Sequence, residues 1–83
     1  MRTIVKNVLT NEKMIFVNDL SLVDNMVNAI LQVEKKTGDL LNDSLRKKII
    51  VENNLVERES KKPGRTFVYC EKHDLYAYTE KQR

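Results

Sequence analysis

Basic residues gather in one part of this chain of 83 residues. Between residues 44 and 65 there are seven lysines and arginines against three glutamates, whereas the remainder carries slightly more acidic than basic residues. Lysine and arginine displace condensed counterions from phosphates, and arginine also reaches base edges, so such a cluster is typical of a polyanion-binding surface. The alternative is a solvated surface that happens to be basic. The seven basic residues are Arg46, Lys47, Lys48, Arg58, Lys61, Lys62 and Arg65.

Cys70 and His73 have the spacing Cys-x-x-His, which is half of a zinc site. A structural zinc normally has four protein ligands, and the chain has no other cysteine or histidine. The pair also has the residue types of a nucleophile and its base, but nothing in the sequence supplies a third group to orient them. We therefore expect a packed strand cysteine and a surface histidine at a bend, with no metal, no cofactor and no enzymatic activity.

Four aromatic residues cluster in the last third of the chain: Phe67, Tyr69, Tyr76 and Tyr78. Aromatic side chains interleaved with lysines form the stacking platforms of proteins that bind single-stranded nucleic acid. Packing against the helices is the simpler explanation for such a cluster. The exposure of Tyr76 and Tyr78 distinguishes the two interpretations.

The first half of the chain predicts a hairpin followed by an amphipathic helix. Residues 3–8 and 13–17 are short β-branched or apolar runs, which favours two antiparallel strands. Asp19 and Ser21 both have the residue type and position of a helix N-cap, and apolar residues then recur at helical spacing. The helix is expected to run to about residue 36, where Gly38 supplies the usual stop.

The second half predicts a basic helix and a strand-rich end. A joint of only three residues, "TGD" at 37–39, precedes a stripe formed by Leu41, Leu45 and Ile49. The second helix is expected to end near Asn53 and Asn54, because asparagine tolerates the left-handed conformation at a helix terminus. Three strands are then expected, with a turn at Pro63-Gly64 between the first two; they span residues 55–59, 66–71 and 75–80.

The order of helix, short turn, basic helix and hairpin resembles the winged-helix form of the helix-turn-helix DNA-binding domain. The resemblance covers residues 20–72 and is best at "ENNLVERESKKPGRTFVYC". It implies that Ser44, Arg46 and Lys47 lie on a helix in the major groove of DNA. It also implies that a wing tip carrying Lys61, Lys62 and Arg65 contacts the adjacent backbone.

Taken together, the patterns predict a single small domain spanning residues 1–83 of class α+β. It would have an N-terminal β-hairpin, two antiparallel-like helices and a C-terminal β-hairpin or three-strand element. Polar residues interrupt every apolar run, so no membrane span or leader is expected, and one cysteine fits a reducing compartment such as the cytoplasm. A chain of this size has a small core, which a homodimer would enlarge.

The leading functional prediction is a small non-enzymatic nucleic-acid-binding regulatory protein whose partner is double-stranded DNA. It would use the basic helix and the following hairpin as one continuous surface. The alternative is a protein-binding modulator, an inhibitor or adaptor, that contacts a larger partner through the same hairpin or through an open sheet edge. The acidic residues Asp39, Asp43, Glu57 and Glu59 among the basic ones favour this alternative.

Overall fold

A computed structural model of the chain describes residues 2–35, 43–61 and 64–80. Within these ranges the fold is α+β, with a five-stranded antiparallel sheet and two helices, as the sequence predicts at this coarse level. The strands lie in the order β2-β1-β5-β4-β3. The elements in chain order are β1 (Arg2–Asn7), β2 (Lys13–Phe16), α1 (Leu22–Val33), α2 (Asp43–Glu52), β3 (Arg58–Glu59), β4 (Thr66–Cys70) and β5 (Leu75–Glu80).

The N-terminal hairpin forms as predicted, and its turn is fixed by local polar contacts. The Asn7 side chain accepts hydrogen bonds from the backbone N–H groups of Leu9 and Thr10, which is an Asx-type turn. Asn11 has a φ of 66°, a conformation that asparagine tolerates better than most residues. These contacts satisfy the loop backbone and set the register between β1 and β2.

Helix α1 begins where the sequence predicts and ends earlier. The Ser21 side chain accepts a hydrogen bond of 3.1 Å from the Asp24 N–H, which confirms Ser21 as the N-cap. The helix stops at Val33 instead of near residue 36, and Lys35 takes the left-handed conformation with a φ of 54°. The helix thus ends before the predicted residue, with a lysine in the left-handed conformation, and the predicted stop at Gly38 lies outside the described residues.

Helix α2 ends as predicted, with Asn54 in the left-handed conformation and the Leu55 N–H bonded to the Ile50 carbonyl. The predicted joint at 37–39 lies outside the described residues. The antiparallel-like orientation of the helices stays a prediction. One described contact between them is the bond from Arg46 of α2 to Asp24 in the first turn of α1.

The C-terminal three-strand element is present, and it joins the N-terminal hairpin through β1 and β5 to make one sheet. Strand β3 has only two residues, so the predicted strand at 55–59 is mostly irregular chain. Gly64 has a φ of 80°, which suits the glycine of a type II turn. Pro63 lies outside the described residues.

The two faces of the sheet have different surroundings. Side chains alternate along a strand and directly paired residues share a face, so Val5, Ala77 and Val68 lie together. All three are fully buried in one apolar cluster with Met26 and Ile30 of α1. Helix α1 therefore covers this face of the sheet, called here the helix face. Helix α2 packs chiefly on α1. Neither described helix is long and apolar enough to cross a membrane.

Candidate nucleic-acid interface

The predicted basic residues of α2 are engaged by carboxylates. Arg46 Nε bonds the Asp24 carboxylate of α1, and the Arg46 side chain is about one-third exposed. Lys47 Nζ lies 3.3 Å from Asp43 Oδ2, and Lys48 Nζ lies 4.0 Å from Glu52 Oε1. Ser44 is exposed on the same helix. Arg46 thus connects α2 to α1, and binding of a phosphate or base by this guanidinium would compete with Asp24.

The second predicted group lies on the turn between β3 and β4. Lys61 and Arg65 are both exposed there, and a hydrogen bond of 2.9 Å from the Ser60 N–H to the Arg65 carbonyl closes the turn. Neither Lys61 nor Arg65 has a carboxylate oxygen within 4 Å among the described residues. Lys62 lies outside the described residues. The described cations of the predicted site therefore form two groups. Arg46 and Lys47 on α2 are paired with carboxylates, whereas Lys61 and Arg65 on this turn have no carboxylate within 4 Å among the described residues.

The sheet face opposite α1, called here the open face, gathers all four aromatic residues of the C-terminal cluster. Its side chains form two rows across the strands, which follow from the strand pairing. We call them the Tyr78 row and the Tyr76 row. The Tyr78 row consists of Ile15, Ile4, Tyr78, Phe67 and Arg58. The Tyr76 row consists of Lys13, Lys6, Tyr76 and Tyr69.

The rings of the open face contact one another. Phe67 and Tyr76 stack with ring centroids 5.2 Å apart, and Tyr76 and Tyr78 lie 5.8 Å apart in a tilted arrangement. These three rings are half-buried, and Tyr69 at the end of its row is exposed. Packing against the helices therefore does not explain this cluster. The rings pack beside each other on a surface that neither described helix covers.

Cations flank the rings on both sides. Lys6 and Lys13 are paired neighbours on β1 and β2, and Arg58 lies beyond Phe67 on β3. None of the three has a carboxylate oxygen within 4 Å in the described part of the chain. The open face thus presents aromatic surface between positive charges, which is the arrangement that suits bases linked by phosphates.

One ion pair closes the end of the open face. The Arg2 guanidinium bonds the Glu80 carboxylate across β1 and β5. This hydrogen bond is the main reason why the pKa of Glu80 lies below its usual value, and the charges of Arg2 and Lys13 act in the same direction. Glu80 is the one acidic residue among the described strand residues of the open face, so the face keeps a net positive charge.

A shallow polar depression adjoins Tyr69 at the outer edge of β4. It measures about 130 Å³ and is lined by Asn53, Asn54, Arg58, Tyr69 and Glu71. It exists because β3 pairs only with Thr66 and Phe67, which leaves β4 uncovered beside Tyr69. The Asn53 side chain already donates to the Ile49 carbonyl and accepts from Cys70 Sγ, whereas the Asn54 side chain makes no hydrogen bond among the described residues. A side-chain amide can bond the edge of a base.

Cys70 and His73 are part of the packing at the end of the sheet that lies away from the Arg2–Glu80 ion pair. Cys70 is fully buried, its Sγ donates to Asn53 Oδ1 at 3.5 Å, and burial raises the pKa of its thiol. His73 Nε2 lies 2.9 Å from Glu34 Oε2 and so connects the β4–β5 turn to the end of α1. The described residues contain no group of three or more side chains placed to hold a metal.

The sequence reasoning did not identify Lys6, Lys13 and Arg58 as site residues. Lys6 is a polar interruption in an apolar strand, and only the register shows that it lies beside Tyr76. A signal was available, since a lysine at an alternating strand position marks the solvent side of a sheet. Comparisons with protein-family models, curated proteins and solved structures gave no match for this chain.

Proposed function

We propose that this protein is a small non-enzymatic nucleic-acid-binding regulatory protein. The observation that carries the proposal is the distribution of unpaired cations. Lys6, Lys13 and Arg58 on the sheet, with Lys61 and Arg65 on the β3–β4 turn, have no carboxylate partner within 4 Å among the described residues. Unpaired lysine and arginine side chains exchange counterions with phosphates without first breaking an internal ion pair. The net charge of +3 favours the same class of ligand.

The winged-helix resemblance gives this proposal a specific form. In that form α2 lies in the major groove of double-stranded DNA, Ser44 and Lys47 face the bases, and the β3–β4 turn contacts the backbone. Arg46 would then have to exchange Asp24 for the nucleic acid. The cations on the sheet and on the β3–β4 turn have no carboxylate partner among the described residues, whereas those on α2 do. Phosphate contacts are therefore expected from the sheet and the turn more than from α2.

Salt dependence of binding tests the proposal. Affinity for a fluorescent oligonucleotide, as duplex and as single strand, is measured by anisotropy over a range of salt concentrations. We expect a steep fall, with a slope of about −0.9 per phosphate contact for the duplex and about −0.7 for the single strand. No binding of either form at low salt would contradict the proposal.

Two matched variants locate the phosphate contacts. Lys6→Gln and Lys47→Gln each remove one positive charge, but only Lys47 has a carboxylate partner. Lys6→Gln is expected to reduce the magnitude of the salt slope by roughly one contact, and Lys47→Gln to leave it nearly unchanged. The opposite result would favour the form in which α2 enters the major groove.

A protein-binding modulator is the second candidate, and exposed apolar side chains near the first hairpin favour it. Leu9, Ile15 and Val17 are each more than half exposed, and β2 is an edge strand with unpaired backbone groups along one side. An extended segment of a larger partner, or β2 of a second copy, would fit such an edge. Light scattering across a concentration series distinguishes a monomer from a homodimer. Substitution of Ile15 by lysine should abolish association through this edge.

A further inference from the structure

The open face has the geometry of a stacking platform. Phe67, Tyr76 and Tyr78 form a continuous group in which neighbouring ring centroids lie 5.2 and 5.8 Å apart, and Tyr69 extends it along the Tyr76 row. Strands lie about 4.8 Å apart, so each row presents side chains at intervals that a flexible polynucleotide backbone can follow. The rings lie on the face opposite to the apolar cluster formed with α1.

The polar ends of the tyrosines reach solvent. Within the described ranges, the hydroxyls of Tyr76 and Tyr78 make no hydrogen bond to the protein. The one buried side-chain atom that lacks a partner there is Arg2 Nε, so neither tyrosine hydroxyl is buried. Tyr76 and Tyr78 are each only partly buried as residues. They therefore pack against neighbouring rings and still reach solvent.

Charge on this face selects the ligand. The rings lie between Lys6 and Lys13 on one side and Arg58 on the other, and the one acidic residue on the described strands of the face, Glu80, is bonded to Arg2. An apolar protein surface gains little from three unpaired cations, whereas a strand of nucleotides matches rings with bases and cations with phosphates. A duplex does not make this match, because its bases already stack on each other and present only their edges.

We infer that the open face binds the unpaired bases of a single-stranded nucleic acid. Bases stack on Tyr69, Tyr76 and Phe67, and Lys6, Lys13 and Arg58 contact the phosphates between them. The depression beside Tyr69, which Asn54 also lines, accepts the edge of one base. This inference rests on the proposed function and specifies its ligand class.

The composition of the chain supplies a direct readout. The protein has three tyrosines and no tryptophan, and all three tyrosines lie on the open face. Intrinsic fluorescence therefore reports only on this surface, and stacking of a base on a tyrosine ring quenches its emission. The test titrates the protein with one mixed-sequence oligonucleotide in three forms at the same salt concentration: single-stranded DNA, single-stranded RNA and duplex DNA.

We expect both single strands, or one of them, to bind more tightly than the duplex and to quench the tyrosine emission. Tyr69→Leu is the most informative variant, because Tyr69 is 38% exposed and its loss leaves the Phe67–Tyr76 stack intact. It should weaken single-strand binding about 5- to 100-fold. The control Lys48→Gln removes one positive charge on α2 at a residue outside the proposed site and should bind nearly as the unmodified protein does. Circular dichroism should show that both variants are folded.

The outcomes separate the two proposals. Duplex binding that equals or exceeds single-strand binding, with unchanged tyrosine emission, would overturn the stacking platform while the proposed function stands. A folded Tyr69→Leu variant with unaltered single-strand affinity would overturn the assignment of Tyr69 to the platform. If no form of the oligonucleotide binds at low salt, both proposals are wrong.

Discussion

The two faces of the sheet differ in what surrounds their apolar side chains. On the helix face Val5, Val68 and Ala77 are completely buried beneath α1. On the open face the rings of Tyr76 and Tyr78 are only half-buried, and their neighbours Lys6 and Lys13 have no ion-pair partner among the described residues. The side chains of the helix face are buried by α1, whereas apolar and charged side chains of the open face remain available to a ligand.

This contrast indicates where the stability of the fold originates. Burial contributes roughly 25 cal/mol per Å² of apolar surface removed from water, so residues beneath α1 contribute more than rings that stay partly wet. Ile4 is an intermediate case, because it lies on the open face and is only 3% exposed. Its cross-strand neighbours Ile15 and Tyr78 pack on either side of it, so the open face has a small apolar centre of its own.

The largest expected effect comes from deleting side-chain volume beneath α1. Ile30 is fully buried in the cluster that joins α1 to the sheet. Ile30→Ala should lower the free energy of unfolding by about 2–5 kcal/mol, because it loses burial and leaves a cavity. Ile15→Ala on the open face is the matched control, and it should cost less than about 1 kcal/mol since Ile15 is half exposed already.

Urea unfolding followed by circular dichroism measures both variants. A small protein of this kind is expected to unfold in one cooperative step, which allows the two free energies to be compared directly. Equal losses for Ile30→Ala and Ile15→Ala would contradict the difference between the faces. That result would indicate that the open face is covered in solution, for example by a second copy of the chain.

A smaller effect is expected from the buried polar contact between α1 and β1. Asn25 is fully buried, and its Nδ2 donates to Thr3 Oγ1 at 3.0 Å and to Asn18 Oδ1 at 3.1 Å. Asn25→Ala should cost about 1–3 kcal/mol, because it leaves the Thr3 hydroxyl buried without this donor. Tyr78→Phe is the control on the open face, and it should leave stability nearly unchanged since its hydroxyl has no protein partner in the described ranges.

A double-mutant cycle sharpens this prediction. If Asn25 and Thr3 stabilise the fold through their hydrogen bond, Thr3→Val together with Asn25→Ala should cost less than the sum of the single changes. Strict additivity would show that the two residues act independently. The loss from Asn25→Ala would then come from its other contacts, among them the hydrogen bonds with Asn18.

The sequence predicted the elements better than their assembly. The cap at Ser21, the hairpin turn and the left-handed Asn54 depend on a few adjacent residues, and these predictions agree with the structure. Such features are local, so their physics is contained in a short stretch of chain. The pairing of β1 with β5 joins residues up to 78 positions apart, and no local signal specifies it.

The candidate site shows the same limit. The winged-helix resemblance places Lys61 and Arg65 on one turn, and the structure shows both exposed on the turn between β3 and β4. Arg46 was selected on its residue type, but its engagement by Asp24 depends on how α2 packs on α1. Lys6 was not selected at all, since its position beside Tyr76 follows only from the order of the strands.

The smallest expected effect concerns the ion pair that closes the open face, and it depends on pH. The hydrogen bond from Arg2 lowers the pKa of Glu80 below 4.5, so the folded state favours the ionised carboxylate. This contribution to stability is present above the unfolded-state pKa near 4.5 and is lost as the pH falls through the lower folded-state pKa. The loss is small because both side chains are more than one-third exposed.

Glu80→Gln removes this titration and also changes the charge of the open face. The difference in urea midpoint between the unmodified protein and the variant should be small at neutral pH and should diminish below pH 4.5. In binding experiments the variant leaves Arg2 without its carboxylate partner, so the salt slope for a single strand should steepen by up to about one contact. A slope that becomes shallower would mean that Glu80 helps to orient Arg2 toward the ligand, and the open face would then depend on this pair for binding and not only for stability.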